Sequence, residues 1–324
     1  MAQLGEFGLI RRYFDRPVRD RNVVVGIGDD AAVVSVTPGC ELVLAVDMMV
    51  ESRHFLPEAD ARSLGHKILA VNLSDLAAMG ARPRWALLAG ALPAFDERWL
   101  DEFTSGLFSL ADAHDVTLIG GDTTRGPRNL CLTIAGEVPA GGAIRRSGAR
   151  PGDDVWVSGT LGDAMLGLAA LQGVTFVDDA ALVSARQRLE WPVPRVVLGE
   201  SLRGLASAML DVSDGLTGDL AHILEASGVG AIVELAKVPR SQALHAKLAG
   251  PERERALQWL LAGGDDYELC FTAPPAKRET LSTLSIGVAL SRVGVVTASA
   301  GELVVIDETG APLRALPRGF DHFA

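Results

Sequence analysis

The chain has 324 residues, of which 48% are hydrophobic, and this size favours two packed domains over one. Its net charge is -11 and its basic residues form no cluster, which argues against a nucleic-acid-binding surface. The longest apolar stretch, residues 85–92, is too short to span a bilayer, and we expect no signal peptide and no membrane contact. The three cysteines form no CxxC motif, which indicates no disulfide framework or zinc site and favours a reducing, cytoplasmic setting.

The first half of the chain is predicted to be rich in strands. A short helical segment, GEFGLIRRYF, precedes the strand-like runs VVVGIG, AAVVSV and ELVLAVD, and residues 37–39 predict a turn. Residues 60–79 carry apolar side chains at helical spacing and are followed by Gly80, so they predict a helix with a glycine C-cap. A strand (RWALLAGAL), a helix (residues 97–114) and two further strands (VTLIGGD and LCLTIAGEV) follow.

A glycine-rich segment with three arginines, PAGGAIRRSGARP, occupies residues 139–151 between the two halves. We place the domain boundary near it, with domains at residues 1–140 and 141–324. The second half alternates strands, such as DVWVSG, AMLDVS and YELCFTA, with helices, such as LGDAMLGLAAL and GLTGDLAHILEASG. This alternation predicts an α/β or α+β layered fold.

Aspartates close at least five of the strand-like runs. A carboxylate at the end of a buried strand is costly unless a cation meets it, so a repeated set indicates a shared cation site. Hard divalent metals with oxygen ligands suit such a set, and phosphate is the natural co-ligand. The residues concerned are Asp29 and Asp30, Asp47, Asp122, Asp211 with Asp214, and Asp265 with Asp266, and Asp75 in NLSDLAAMG is one more.

The segment VVVGIGDDA matches the dinucleotide-binding fingerprint G-x-G-x-x-A, and Asp47 follows at the distance of a ribose-binding acid. Three observations disfavour that interpretation. The β-branched run AAVVSV stands where a helix is needed, two aspartates would face the pyrophosphate, and no crossover helix fits before ELVLAVD. A tight hairpin with solvated aspartates is the better interpretation of this segment alone. The chain has no P-loop, HExxH or GxSxG motif.

Two further segments indicate phosphate binding. In DVSDGLTGDL, Asp211 closes a strand, and Ser213 or Asp214 is placed to cap the helix that follows. Capping explains one acid, whereas two acids and a serine at this junction suit a metal beside a phosphate on exposed N–H groups. In GAIRRSGARPGD, Arg145 or Arg146 suits bidentate contact with nucleotide phosphates, and a solvated linker is the alternative.

Taken together, these segments resemble the thiamine-monophosphate kinase family, whose superfamily also contains aminoimidazole ribonucleotide synthetase and selenophosphate synthetase. The matching pieces occur in the family's order over nearly the whole chain: GEFGLI, GIGDDAAVV, VDMMVESRHF, NLSDLAAMGA, IGGDTTRG, RRSGARPGD, LDVSDGL, GGDDYEL and GFDHF. The resemblance implies a kinase that uses ATP and several Mg²⁺ ions to convert thiamine monophosphate to thiamine diphosphate. It implies two α/β domains, of which the N-terminal one has a mixed sheet that pairs in a homodimer and the C-terminal one is an α/β sandwich completing the site.

The resemblance also implies roles for individual residues. Magnesium ligands are implied at Asp30, Asp47, Asp75, Asp122, Asp211 and Asp214. ATP contacts are implied at Gly121, Arg146 and Ser213, and substrate contacts at His54, Asp265 and Phe320. Ala45 and Val46 stand where the family often has hydroxyl residues, so only their backbone carbonyls could bind metal.

The residue chemistry agrees with direct in-line phosphoryl transfer. The acceptor would be a phosphate oxygen that is already anionic, so no general base is required. Two alternatives remain open: another ATP-dependent enzyme of the same superfamily that activates an amide or a selenide, and a non-catalytic nucleotide- or metal-binding regulator. The selenide case is disfavoured because the N-terminal glycine-rich strand has no nearby cysteine or lysine.

Overall fold

The computed structural model describes residues 5–284 and 286–317, which form two compact units. The first unit comprises Met1–Leu76 and Ala81–Gly141, and the second comprises Ala77–Gly80 and Gly142–Ala324. Both units combine helices with β-sheet, which confirms the predicted α/β fold class. Among the described residues, no helix has both the length and the apolar character needed to cross a membrane.

The first unit contains a mixed sheet, helices and a small hairpin. In chain order, its elements are α1 (Glu6–Tyr13), β1 (Val23–Val25), β2 (Val33–Val34), β3 (Cys40–Val50), α2 (Ala61–Ala78), β4 (Arg82–Leu92), α3 (Glu97–Ala113), β5 (Thr117–Arg125) and β6 (Asn129–Pro139). The four long strands lie in the order β3-β6-β4-β5, while β1 and β2 form a separate antiparallel pair. β6 is antiparallel to β3 and β4, whereas β4 and β5 are parallel, with α3 as their connection.

The two long helices of this unit pack with their backbones in close contact. A Cβ atom on Gly65 of α2 would lie 1.9 Å from the carbonyl oxygen of Phe103 in α3. Gly106 of α3 has the reciprocal contact, because its Cβ would lie 1.9 Å from the carbonyl oxygen of Arg62. At the start of α3, the carboxylate of Asp96 accepts the N–H of Trp99 and so caps the helix.

One face of the four-stranded sheet is apolar and exposed. Leu44, Val46 and Met48 of β3 are 63%, 59% and 52% exposed. Alternate residues of a strand face opposite sides of the sheet, so these three side chains share one face, and Asp47 lies on the other. Leu87 of β4, in register with Val46 through β6, is also 40% exposed. Apolar patches of this kind mark interaction or ligand-binding surfaces.

The second unit contains a larger sheet covered by helices. Its elements are β7 (Asp154–Ser158), α4 (Asp163–Leu171), α5 (Asp179–Glu190), α6 (Val196–Ser201), β8 (Ala208–Val212), α7 (Leu216–Ser227), β9 (Gly230–Glu234), α8 (Gln242–Ala249), α9 (Arg253–Ala262), β10 (Glu268–Ala273), α10 (Arg278–Ser282), β11 (Leu290–Thr297) and β12 (Leu303–Ile306). The strand order is β12-β9-β11-β7-β10-β8, and every pair is antiparallel except β12 with β9. All residues of β7, β8 and β10 are buried.

Two local features differ from the sequence-based expectation. Residues 242–262 form α8 and α9, which the sequence analysis did not predict, because Gly250 and Pro251 divide the apolar pattern into two short pieces. The run VVVGIG is a strand only over Val23–Val25, since the chain turns at Gly28, whose φ is +120°. As predicted, α7 ends at Gly228, which adopts the left-handed conformation.

Candidate active site

A cavity of about 990 Å³ lies within the first unit. Much of its wall is apolar and comes from α1, β3, β4 and α3, with Phe7 and Leu44 among the lining residues. Asp30, Gly121 and Asp122, three residues selected from the sequence, also line it. An apolar cavity of this size with a few convergent polar groups suits a small-molecule ligand.

Gly121 allows the backbone of β5 to approach β4 closely. Its φ is +147°, and a Cβ atom at this position would lie 1.8 Å from the carbonyl oxygen of Leu88. Larger residues therefore do not fit here. The next residue, Asp122, pairs with Ala89 and is exposed. The sequence Gly-Asp in the middle of β5 thus places a residue without a side chain next to a carboxylate at the cavity.

Asp30 lies in the turn between β1 and β2. The carboxylate of Asp29 accepts the N–H of Asp30 at 2.8 Å, and both residues are exposed. The chain after the two glycines forms β2, which pairs antiparallel with β1, and residues 31–39 contain no helix. This geometry excludes the dinucleotide-binding interpretation of VVVGIGDDA and agrees with a hairpin.

The other residues selected in the first unit do not line this cavity. Asp47 lies in β3, on the face opposite to the exposed Val46. His54 follows β3 in a turn, where its Nδ1 accepts the N–H of Val50 at 3.0 Å. Asp75 is half-buried in the last turn of α2. Asp30 and Asp122 are therefore brought to one cavity, whereas Asp47 and Asp75 are placed outside its lining.

Three turns of the second unit are joined by hydrogen bonds, two of them directly through their backbones and the third through the carboxylate of Asp266. They are residues 159–162 after β7, residues 213–215 after β8, and residues 263–267 before β10. The N–H of Asp265 donates to the carbonyl oxygen of Ser213 at 2.8 Å, and a Cβ atom on Gly264 would lie 2.4 Å from that same oxygen. The N–H of Gly162 donates to the carboxylate of Asp266 at 2.9 Å. The proposed ATP contact at Ser213 and the proposed substrate contact at Asp265 are therefore neighbours.

The turn before β10 has an uncommon backbone conformation. Asp265 and Tyr267 have φ values of 61° and 50°, in the left-handed region that non-glycine residues seldom adopt. The Tyr267 hydroxyl donates to the Asp265 carboxylate at 2.9 Å, and the Tyr267 N–H donates to the carbonyl oxygen of Val212 at 2.8 Å. Strain of this kind persists only where the surroundings enforce it, and it clusters at functional sites.

Asp219, in the first turn of α7, is a buried acid that the sequence analysis did not select. Its Oδ2 accepts the N–H of Asp214 at 3.0 Å. Burial is the main cause that raises the pKa of Asp219 to about 7, and the charges of Asp214 and Asp211 add to it against the backbone hydrogen bonds. This turn of the protein therefore has a concentrated negative potential.

The predicted capping of α7 by Ser213 or Asp214 is wrong. The helix begins at Leu216 after Gly215, and no side-chain hydrogen bond is made from the N-cap position. Asp219 instead reaches back from within the helix to the N–H of Asp214. The feature of the sequence that could have revealed Asp219 is an acid in the first helical turn, where the helix dipole favours negative charge.

Glu268, the first residue of β10, is fully buried and paired with two arginines. Its carboxylate accepts a hydrogen bond from Arg188 at 2.6 Å, one from Nε of Arg195 at 2.7 Å, and one from the Ser158 hydroxyl. Gly159 makes room for it, because a Cβ there would lie 2.1 Å from the carboxylate. This network fixes the strand directly after the 263–267 turn, and the sequence pattern did not reveal it because its members are far apart in the chain.

Two further residues selected from the sequence are Arg146 and Phe320. Arg146 is exposed, and its carbonyl oxygen accepts the hydroxyl of Ser227 at 3.3 Å. Phe320 lies outside the described residues. Within residues 5–284 and 286–317, no group of three or more His, Cys, Asp or Glu side chains is arranged to hold a metal ion. The cluster of six aspartates stays a prediction.

The chain matches two family models over most of its length. They are AIR synthase related protein, N-terminal domain, at residues 28–138, and AIR synthase related protein, C-terminal domain, at residues 150–307. Thiamine-monophosphate kinase of Escherichia coli (strain K12) is 47% identical over 327 residues, which cover 99% of this chain and 98% of that protein. The chain belongs to the thiamine-monophosphate kinase family.

Solved structures support the same assignment. Thiamine-monophosphate kinase from Stenotrophomonas maltophilia K279a is 46% identical, with a TM-score of 0.83, and the match covers 89% of this chain and 92% of that one. AaThiL complexed with AMPPCP and TMP is 29% identical, with a TM-score of 0.77, and the match covers 98% and 97% of the two chains. The assignment to the thiamine-monophosphate kinase family, which the sequence motifs predicted, is confirmed, and with it the kinase class of the enzyme.

Proposed function

We propose that the protein transfers the γ-phosphoryl group of ATP directly to thiamine monophosphate and so forms thiamine diphosphate. The observation that carries this proposal is the full-length similarity to thiamine-monophosphate kinases, one of which has been solved with AMPPCP and TMP. AMPPCP is an analogue of ATP, and we take TMP to be the phosphoryl acceptor. That complex therefore contains a donor analogue and an acceptor together.

The proposed ATP contacts differ in what they offer to phosphates. Gly121 presents backbone that no side chain shields, at the wall of the cavity that also contains Asp122. Arg146 offers a planar guanidinium fork, which suits bidentate contact with phosphate oxygens. Ser213 offers a hydroxyl group and a backbone N–H at the turn before α7.

The proposed substrate contacts are His54, Asp265 and Phe320. Because Nδ1 of His54 accepts the N–H of Val50, a neutral His54 has its proton on Nε2 and offers that nitrogen as a donor to a phosphate oxygen. The strained conformation of Asp265 and the hydroxyl of Tyr267 fix the direction of the Asp265 carboxylate. This carboxylate suits the cationic thiazolium ring of the substrate.

The acids of the protein suit a hard divalent cation. Burial is the main cause of the raised pKa of Asp219, and the charges of Asp214 and Asp211 add to it, so a cation bound near these acids would be favoured. We propose Mg²⁺ ligands at Asp30, Asp47, Asp75, Asp122, Asp211 and Asp214. Several Mg²⁺ ions, when bound, would neutralise phosphate charge and stabilise the in-line transition state.

The protein's own contribution to the reaction would be positioning. The acceptor oxygen of a phosphate monoester is ionised at neutral pH, so no side chain has to remove a proton from it. The interlocked turns of the second unit hold Ser213 and Asp265 in fixed relation through their backbones. Fixed placement of donor and acceptor supplies much of the rate in reactions of this type.

Product analysis tests the proposal. The protein is incubated with ATP, Mg²⁺ and thiamine monophosphate, and ADP and thiamine diphosphate are separated by chromatography. We expect equal amounts of the two products and none without Mg²⁺. A folded protein that forms neither product in excess Mg²⁺ would contradict the proposal, and ADP without thiamine diphosphate would indicate another acceptor.

Asp47→Asn tests the metal role of the strand-end acids. Asn keeps the size of the side chain but removes the charge, so we expect turnover to fall by orders of magnitude, about 10²-fold or more, for loss of a metal ligand. The fold should be unchanged, as judged by circular dichroism and thermal unfolding. Near-normal turnover would show that Asp47 is structural.

We also propose that the protein is a homodimer that associates through the exposed sheet face of the first unit. Val46 and Met48 contribute to this face, which is more apolar than a solvent-facing sheet of a monomer requires. Val46→Glu should give a monomer in light scattering after gel filtration. Val197→Glu is a matched control, because Val197 is 64% exposed on α6 in the other unit and should leave the mass unchanged. A dimer that persists in Val46→Glu would contradict this interface.

A cytoplasmic setting is part of the proposal. Cys40, Cys131 and Cys270 are all free thiols in the structure, and Cys270 is buried. Free cysteines are typical of proteins that work in a reducing compartment. Cell fractionation of the producing organism, with an antibody against the protein, tests this setting.

A further inference from the structure

The hairpin that carries Asp30 is not part of the large sheet of its unit. β1 and β2 pair only with each other among the described strands, and the turn between them lines the cavity. A three-residue strand paired with a two-residue strand has little stability of its own. Something else must hold Asp30 at the cavity wall.

Both ends of this hairpin are joined to the large sheet by one set of side chains, which we call the Arg84 cluster: Asp20, Thr37, Arg84, Trp85 and Glu137. Asp20 precedes β1, and Thr37 follows β2. Arg84 and Trp85 belong to β4, and Glu137 belongs to β6. The cluster therefore spans the segment of residues 20–37 at its two ends.

Arg84 is the centre of the cluster. Its Nη2 donates to both carboxylate oxygens of Asp20 at 3.0 Å, and its Nη1 donates to Glu137 at 2.8 Å. The indole N–H of Trp85 donates to Asp20 at 2.9 Å. Glu137 in turn accepts the backbone N–H of Thr37 at 2.6 Å and its hydroxyl at 2.8 Å. One guanidinium thus connects the start of the hairpin directly, and its end through Glu137.

The cluster is shielded from solvent, so loss of one partner would leave a buried charge without its counter-charge. The side chains of Arg84 and Asp20 are each 15% exposed, and that of Glu137 is 5% exposed. Burial acts to raise the pKa of Asp20, but hydrogen bonds from the Asn22 N–H and from Arg84 outweigh it and hold this pKa below its usual value. Removing one partner from such a shielded, hydrogen-bonded pair is much more costly than removing one from an exposed pair.

The cluster also touches the cavity. Trp85 is one of the lining residues, and the guanidinium carbon of Arg84 lies 5.2 Å from the centre of the Trp85 ring. The same contacts that anchor the hairpin therefore fix one wall of the cavity. The Asp30 turn lies near the middle of residues 20–37, between these two attachments.

We infer that Arg84 is a positioning residue for nucleotide binding: through Asp20 and Glu137 it fixes both ends of the Asp30 hairpin and keeps that carboxylate at the cavity. This inference rests on the proposed function for the identity of the ligand as a magnesium–nucleotide complex. Arg84 itself acts through its partners and not on the ligand. Lysine is a poor replacement, because all three donors of its ammonium group lie on one nitrogen, whereas Arg84 uses Nη1 for Glu137 and Nη2 for Asp20.

Hydrogen exchange and nucleotide binding test the inference on the full chain. In Arg84→Lys, we expect amide exchange in residues 22–36 to rise about tenfold, the effect of losing one charge-assisted hydrogen bond, while other peptides of the first unit keep their rates. The Kd for AMPPCP with Mg²⁺, measured by calorimetry, should rise at least about threefold, which corresponds to a hairpin that is in place in about one third of the molecules.

A second variant keeps every charge in place. Thr37→Val removes the hydroxyl that donates to Glu137 and accepts from Asn22, while the backbone N–H of Thr37 still donates to Glu137. It therefore weakens one end of the hairpin and covers the case in which Arg84→Lys does not fold. We expect the same local rise in exchange with a smaller loss of affinity. Arg16→Lys is the matched control: Arg16 also binds a carboxylate, that of Asp112, through two nitrogens, but this pair is exposed. It should change neither exchange in residues 22–36 nor the Kd.

Three results would overturn the inference. Unchanged exchange in residues 22–36 of the Arg84 and Thr37 variants would show that other contacts hold the hairpin. A uniform rise across the first unit would show a general structural role. A local rise with an unchanged Kd would show that the hairpin does not position the nucleotide. Failure of the proposed function gives a different result, since the enzyme would then form no thiamine diphosphate while nucleotide binding and exchange could still be measured.

Discussion

The two units hold their candidate site residues by different means. In the first unit, Asp30 and Asp122 are exposed at a cavity, and the Asp30 hairpin is attached through the side chains of the Arg84 cluster. In the second unit, Ser213 and Asp265 lie on turns whose backbones touch, beside strands that are buried along their whole length. The first arrangement depends on charged side chains at a distance from the site, whereas the second adds close main-chain packing to buried carboxylates such as Asp266 and Asp219.

This difference determines which substitutions each unit tolerates. A positioning network of side chains is weakened in steps, because each hydrogen bond can be removed separately. Two backbones in direct contact cannot be weakened in steps, because a single added carbon atom forces the two chain segments apart. Matched substitutions in the two units therefore test this difference, from the largest expected effect to the smallest.

The largest effect is expected when a buried carboxylate loses its charge. Glu268→Gln leaves Arg188 and Arg195 without their common acceptor charge in a fully buried setting, so we expect the second unit to lose roughly 3–5 kcal/mol of stability. Glu51→Gln is the counterpart in the first unit, where Glu51 pairs with Arg128 and is 32% exposed. It should cost about 1 kcal/mol or less. Urea unfolding, with hydrogen exchange to assign the loss to a unit, measures both, and equal losses would contradict the comparison.

A pair of glycine substitutions comes next. Gly215 has φ +106°, and a Cβ atom there would lie 2.4 Å from the Cα of Ala262. Gly28 has φ +120°, but nothing lies within 4 Å of its Cβ position. Both alanine variants carry backbone strain of about 1–2 kcal/mol, and Gly215→Ala adds roughly 1–3 kcal/mol for the steric conflict.

Urea unfolding and hydrogen exchange also test the two glycine variants. Gly28→Ala should raise exchange only in the hairpin, whereas Gly215→Ala should raise it across the turns at residues 159–162, 213–215 and 263–267. If the two variants lose the same stability, the close backbone packing of the second unit is not what holds its site residues.

The sequence predicted the fold class and the strand-end acids but not the contacts that hold them. Strands and helices follow from local patterns, so β4, β6, α2 and α3 were predicted close to their observed bounds. Asp219 and Glu268 were missed, because a buried acid is recognisable only through partners that the fold brings from elsewhere in the chain. The Arg84 cluster is of the same kind, since Asp20 and Glu137 are more than one hundred residues apart.

The motif residues illustrate the same limit. Gly121 was selected by resemblance and Asp122 first as a strand-end acid, and the close approach of β5 to β4 gives the glycine its physical reason. The capping of α7 was predicted wrongly, because a serine and an aspartate before a helix resemble an N-cap whether or not the chain turns correctly. Local sequence thus predicts which residues matter better than it predicts the bonds they make.

The smallest expected effect concerns pH. Asp20 in the first unit and Asp154 in the second both have a pKa below the usual range, because arginine hydrogen bonds, with a backbone N–H at Asp20, outweigh the effect of burial. A lowered pKa in the folded state means that the ionised carboxylate stabilises the protein above the unfolded pKa, near 4, and that this stability is lost as the pH falls through the folded pKa. Asp20→Asn and Asp154→Asn should therefore each cost roughly 1–2 kcal/mol at pH 7 and less as the pH is lowered below 4.

The two variants should differ in where the loss appears. Asp20→Asn should increase hydrogen exchange at the hairpin of the first unit, because Asp20 is one of its two attachments. Asp154→Asn should act at the edge of β7, where Arg278 and Arg292 bind the carboxylate. Asp112→Asn, at an exposed pair, is the control and should have no measurable effect at either place. If the loss of stability in either variant does not become smaller below pH 4, the carboxylate at that position stabilises the fold by its shape and not by its charge. Anchoring by a charged side chain would then not differ from anchoring by the backbone at that position.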